Sequence, residues 1–208
     1  MNKIIMNEVI EGINFDKLES NIINIKKGES LVLYLNASYF RNVEFNLDED
    51  AYLEINKIYD LADIWEEVTI NLNGENSKVL YNFSTLAHTN QTFIININHN
   101  NKNTISNVYN HGVVINDSRL YFEVNSVVKK GYTNSMLNQE SRIITMGDNY
   151  SEIKPNLLID EYDVNARHAA IIGKFNKEDI FYLMSKGIPY EKANELLIIG
   201  FLKNNIRR

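Results

Sequence analysis

No cysteine occurs anywhere in the 208 residues. That absence removes disulfides, thiolate metal sites, cysteine-ligated iron-sulfur clusters and cysteine nucleophiles together. Proline is nearly missing, and of the two present Pro155 alone falls between residue 15 and about 172, so almost no segment there carries a residue that blocks strand pairing. No run of about 18 apolar residues exists, which excludes a membrane-spanning helix. The opening MNKIIMNEVIEGINF breaks its short apolar stretch with polar residues before a signal-peptide core can form, so a cytoplasmic location is expected. A basic excess is also lacking: 21 Lys plus Arg against 27 Asp plus Glu give a net charge of −6, the wrong sign for binding phosphates, and nucleic acid is not expected as a partner. Arg207 and Arg208, the only adjacent arginines, read as a solvated chain end.

What is present is a chain long enough for one core and rich in Asn and Ile. Asn tolerates left-handed turns and stacks into amide ladders, so its abundance suits a turn-rich β protein. From residue 15 to about 172, short segments alternate apolar and polar residues between turn signals. Leu31, Leu33 and Leu35 share one face, as do Ala51, Leu53 and Ile55, and Val68, Ile70 and Leu72. The pattern continues through residues 79–83, 92–98, 113–115, 120–124 and 157–159, with NGENSK, NHNNKN, INDSR and MGDN as breaks, predicting about ten strands. Short, even segments and recurring Asn/Asp/Gly corners favour a solenoid, although periodicity alone leaves a sandwich open.

After Gly173 the period changes. Asn176 with Asp179 three residues on predicts a helix start, and Ile180, Leu183 and Met184 recur at helical spacing up to Gly187. Pro189 opens a second helix with an apolar stripe of Ala193, Leu196, Leu197, Gly200 and Phe201. The expected organisation is a β core over 1–174 and a helical module over 175–208. The stripe either caps the end of the β core or docks a partner.

Three stretches carry a family resemblance. HGVVINDSRLYFEVNSVVKKG is followed by NSMLNQESRIITMGDNYSEIKPNLLIDEYDVNARHAAIIGKF, with Asn138, Gln139, Arg142, Lys154, Pro155, Asp163, Val164, His168 and Gly173 as landmarks. The tail DIFYLMSKGIPYEKANELLIIGF follows in the same order. Together they resemble the SufB/SufD family of iron-sulfur cluster assembly scaffolds, on the SufD side. The resemblance implies a right-handed parallel β-helix followed by a short helical hairpin, and a non-catalytic subunit that pairs with a SufB-like or identical β-helix subunit as hetero- or homodimer. It also implies that the C-terminal helices bind SufC, an ABC-type ATPase, which makes Ile180, Phe181, Met184, Leu197 and Phe201 the candidate partner-binding residues. The chain itself has no GxxxxGK[ST] loop for phosphates.

In the family a cysteine and a histidine two residues later lie near the subunit interface. The matching positions here are Ala166 and His168, so the resemblance assigns His168 as the one cluster or metal ligand this chain offers. One imidazole cannot hold a cluster, so none is expected on this chain alone, and a transient iron-sulfur cluster at a subunit interface would take its thiolates from elsewhere. Arg167, in place of a small residue, is expected to crowd the site: its charge disfavours imidazolium and its bulk opposes a metal. His99 and His111, with His88 nearby, read as surface or ladder histidines on neighbouring coils, and Trp65 as a core or coil-edge aromatic. Two other functions stay open: a structural partner that has lost cluster chemistry, and a carbohydrate-active β-helix enzyme using Asp48, Asp50, Glu66 and Glu67 with Arg41, Arg119 and Arg142.

Overall fold

The computed structural model describes residues 21–35, 41–147 and 150–205. The opening apolar stretch and the terminal Arg207–Arg208 pair lie outside the described residues. Twelve strands run from β1 (Ile22–Ile25) through β2 (Ser30–Leu35), β3 (Asn42–Leu47), β4 (Tyr52–Tyr59), β5 (Trp65–Leu72) and β6 (Lys78–Ala87). They continue with β7 (Gln91–His99), β8 (Ile105–Val114), β9 (Leu120–Val128), β10 (Ser135–Thr145), β11 (Ser151–Ile159) and β12 (Val164–Gly173). Odd strands form one six-stranded sheet and even strands the other, each strand pairing in parallel with the strand two places on. The chain is therefore a parallel β-solenoid with two strands to a coil, followed by helices α1 (Lys177–Ser185) and α2 (Tyr190–Asn204).

Alternation decides what each strand buries, and unbroken register turns it into columns. On the even sheet one inward column reads Leu33, Ile55, Tyr81, Val108, Gln139 and His168. On the odd sheet Phe93 stacks under Phe122, and Phe83 reaches across the lumen to Phe93 with ring centroids 4.4 Å apart. These rings are fully or almost fully buried and fill the middle of the rod.

The corners are made by residues that accept positive φ. Asp50, Asn76, Asn103 and Asn134 take φ of 56° to 59°, one to a coil, and each backbone N–H reaches a carbonyl of the following corner, as in Asn76 N–H to Lys102 O and Asn134 N–H to Asp163 O. Their side chains also chain together: Asn76 Nδ2 donates to Asp50 Oδ1 at 3.0 Å and Asn134 Nδ2 to Asn103 Oδ1 at 2.6 Å. On the outer face of the odd sheet an amide ladder rises from Glu67 through Asn96, Asn125 and Asn156, at 3.0, 2.9 and 2.7 Å. The Asn-rich composition thus serves both corners and ladders. Coil packing is tight at Gly74, where a Cβ would lie 1.9 Å from the backbone nitrogen of Glu49.

Twelve strands rather than about ten are present among the described residues. The sequence segments passed over β1, β3, β10 and β12, and in β10 the inward residues Ser135, Gln139, Ser141 and Thr145 dilute the apolar signal. Residues 113–115 proved to be only the end of a ten-residue strand, β8.

The helices follow the predicted signals. Asn176 caps α1 by accepting from Glu178 N–H at 3.0 Å, Gly187 turns the chain at φ 84°, and Pro189 is the N-cap of α2. Their position does not follow the cap alternative. α2 lies along the outer face of the even sheet, against β6 and β8, and does not cover the last coil.

Candidate functional site

The last coil, β11 and β12, is where the solenoid stops burying its own interior. In the middle coils the inward columns are buried, whereas on β11 Ile153, Pro155, Leu157 and Ile159 are only half-buried, and on β12 Ala170 and Ile172 are exposed. Among the described residues no element lies over this coil, so an apolar end surface and two unpaired strand edges face outward.

His168 sits in the middle of that surface, exposed, as the final member of the column that begins at Leu33. Directly beneath it in register is Gln139, which is buried. The Gln139 Nε2 donates to Val124 O at 3.4 Å, Ser126 Oγ at 2.8 Å and Asn156 O at 3.2 Å, tying both sheets together under the last coil, and its Oε1 has no hydrogen-bond partner. Arg167 does not crowd the imidazole from the same side. Alternation turns it to the outer wall, where Nε donates to Asn138 Oδ1 at 2.8 Å and Asn138 Nδ2 donates to the Tyr109 hydroxyl at 3.1 Å.

The other sequence candidates separate. Phe181 and Met184 are exposed on α1, and Ile180 and Leu197 are half-buried. Phe201 is used within the chain: its ring stacks on His111 and meets Phe175 edge-on at 6.1 Å. His99 and His111 do not stack on neighbouring coils. His99 is buried in the lumen, with Nδ1 2.7 Å from Thr104 Oγ1 and Nε2 2.9 Å from Ser106 Oγ, while His111 faces outward under α2. His88 is at the surface beside Asp60. Trp65 lies at the start of β5, half exposed on the outer face. Among the described residues no group of three or more His, Asp or Glu side chains is placed to hold a metal ion.

The carbohydrate-enzyme constellation is not assembled. Glu66 points into the lumen and Glu67 to the outside, because neighbours in a strand face opposite ways. Arg119 bonds Glu152 at 3.1 Å beside the odd sheet, whereas Arg142 pairs with Glu140 at 2.9 Å on the even sheet.

A parallel solenoid followed by two C-terminal helices is the architecture that the sequence resemblance implies. A family model for the SufBD core domain of the SUF system for FeS cluster assembly matches residues 29–201. The chain belongs to the SufBD family. Along its length it is similar to the iron-sulfur cluster assembly protein SufD of Bacillus subtilis, 30% identical over 201 residues, which is 95% of this chain and 45% of that protein. Over shorter stretches it is similar to a SufBD family protein of Pyrococcus horikoshii, 46% identical over 46 residues, 22% of this chain and 10% of that one. It is also similar to SufB of Bacillus subtilis, 39% identical over 41 residues, 20% of this chain and 9% of that one. This SufBD chain thus spans less than half the length of the SufD protein it matches, and it is SufD-like.

Sequence reasoning missed the residues that hold the helices of this SufBD chain to the rod. Asn205 is fully buried, and its Nδ2 donates to Phe83 O at 2.7 Å, Tyr109 O at 2.9 Å and Ser84 Oγ at 3.5 Å. Ser84 Oγ donates to Leu202 O at 2.8 Å. No signal in the sequence could have found them, since an outward Ser84 in β6 reads as a solvated residue, yet here it is buried against the end of α2.

Proposed function

We propose that this chain works as a non-catalytic SufD-like subunit that pairs through its open last coil with a second β-helix subunit and docks an ABC-type ATPase on its helical pair. The observation that carries the reading is the joint exposure of an uncovered coil centred on His168 and of large apolar side chains, Phe181 and Met184, on a helix anchored to the same rod. The cluster under construction is cargo at the subunit interface. His168 supplies one neutral imidazole to it, and the thiolates come from the paired subunit because this chain has none. ATP-driven closure of the ATPase moves the helical arms and, through them, the coils; only an ATPase that binds the two arrangements differently can drive such a shift.

The test is co-purification with the ATPase, followed by anaerobic cluster reconstitution with and without a cysteine-bearing SufB-like subunit, using wild type and His168→Ala. The expected result is cluster formation only in the mixed complex, reduced by His168→Ala without loss of assembly. Unchanged cluster yield in His168→Ala removes the ligand role and leaves the structural-partner reading. Absence of ATPase binding removes both.

A further inference from the structure

The side-chain amide of Gln139 is held from one end only. Val124 O, Ser126 Oγ and Asn156 O converge on its Nε2, at 3.4, 2.8 and 3.2 Å. Two of these are backbone carbonyls, which accept and never donate, so the amide cannot be turned over to exchange its two ends. Its Oε1 is thereby fixed on the other side as a buried acceptor without a donor, a costly and uncommon state. Below it in the column stands Val108, which has no side-chain donor. Above it stands His168, and the other inward residues of β12 are Val164, Ala166, Ala170 and Ile172, none of which carries one. The hydroxyl of Ser151 on β11 lies five residues before Asn156, roughly 16 Å away along the strand.

We infer that Gln139 Oε1 receives one ring N–H of His168 and so fixes which imidazole nitrogen keeps its lone pair for a metal. The inference rests on His168 being the ligand proposed above, and it names what orients that ligand. Register neighbours on parallel strands are about 4.8 Å apart, so rotation about the side-chain torsions of His168 brings a ring N–H to Oε1 without backbone movement. A neutral imidazole has one N–H and one lone pair. Once the N–H is committed to the lumen, the lone pair is left on the other nitrogen, facing the open coil. Orientation matters here because His168 is exposed, and an untethered ring samples both tautomers and several rotamers. Gln139 is thus a positioning residue: it touches no cluster atom and acts through the imidazole. A polar side chain then has a task in a column that otherwise reads Leu33, Ile55, Tyr81 and Val108 beneath the open coil.

The experiment is nitrogen-15 NMR of the full chain with labelled histidine, at about pH 8.5 where imidazole is neutral, the His168 signals being identified by their loss in His168→Ala. Wild type is expected to show one tautomer of His168 and a ring N–H proton slowed in exchange. Gln139→Met removes the acceptor, so both tautomers appear and the slowed proton vanishes, whereas Gln139→Glu drops the donors, keeps an acceptor and retains that proton. Folded variants that both lose thermal stability while the tautomer stays as in wild type overturn the inference and leave Gln139 a tie between the sheets. A mixture of tautomers in wild type overturns it without any variant, so misfolding of a replacement does not close the test. In the mixed complex with a cysteine-bearing SufB-like subunit, Gln139→Met is expected to assemble and to slow cluster formation about 10- to 100-fold. A single, Gln139-dependent tautomer with unchanged cluster yield in His168→Ala overturns the ligand reading instead and leaves only the hydrogen bond.

Discussion

The imidazole of His111 lies flat against the ring of Phe201, centroids 4.5 Å apart and planes 9° from parallel, with Nδ1 3.1 Å from the Phe201 carbonyl oxygen. Two residues 90 positions apart thus join the last helix to the eighth strand. Asn205 and Ser84 complete the joint by closing polar bonds between helix end and sheet backbone. The helical pair is therefore an arm fixed at one end, not a tail, and movement imposed on it reaches β6 and β8 directly.

Replacement of Asn205 by Ala removes three donor contacts from a buried site. The expected cost is about 1–3 kcal/mol, confined to the joint. Amide hydrogen exchange checks this: protection falls in α2 and stays unchanged in the coils of β7 to β9. Uniform loss of protection would show instead that the joint is part of the global folding unit.

Burial holds the imidazole of His99 down to about 3, far below its ordinary 6.5. The folded chain keeps this group neutral where the unfolded chain binds a proton, so the contribution is complete above pH 6.5 and is lost progressively as pH falls toward 3. At about 1.4 kcal/mol for each pH unit between folded and unfolded values, the upper limit is on the order of 5 kcal/mol. Urea unfolding between pH 7 and 4 should show stability falling on acidification, and His99→Leu should flatten that slope. An unchanged slope in the variant would place the acid sensitivity elsewhere.

Deep in the lumen Lys57 and Glu66 form an ion pair, both essentially inaccessible, with the ammonium 4.7 Å from the Tyr81 ring centroid and Tyr59 donating to Glu66 Oε2 at 3.2 Å. Desolvation lowers the Lys57 pKa although Glu66 opposes the shift, and burial raises that of the Tyr81 hydroxyl. Lys57→Met alone strands a buried carboxylate and should cost about 3–5 kcal/mol, whereas Lys57→Met with Glu66→Leu should cost little or stabilise. Chemical denaturation of the single and double variants measures the difference, and equal losses would mean that the stranded carboxylate is not the source of the cost.

Much of this was legible in the chain itself. Leu31, Leu33 and Leu35 or Val68, Ile70 and Leu72 announce strands because a residue's face in a strand is fixed by its parity, a local property. Asn76 and Asn103 announce corners because few other side chains accept positive φ. β10 was missed because its inward positions are polar, and a polar inward residue looks the same in sequence as a polar outward one.

The placement of the two surfaces was not legible. Sequence alone determined short strands between polar corners, the helical pair and the absence of thiols, since these follow from period, turn chemistry and composition. The parallel coiling came from the family resemblance, because periodicity left a sandwich open. Only the tertiary structure decided that the helices lie along the rod and leave its last coil open. That choice rests on contacts between residues about a hundred positions apart, Asn205 with Phe83 and Tyr109 and Phe201 with His111, whose energies depend on which groups meet and not on any local pattern.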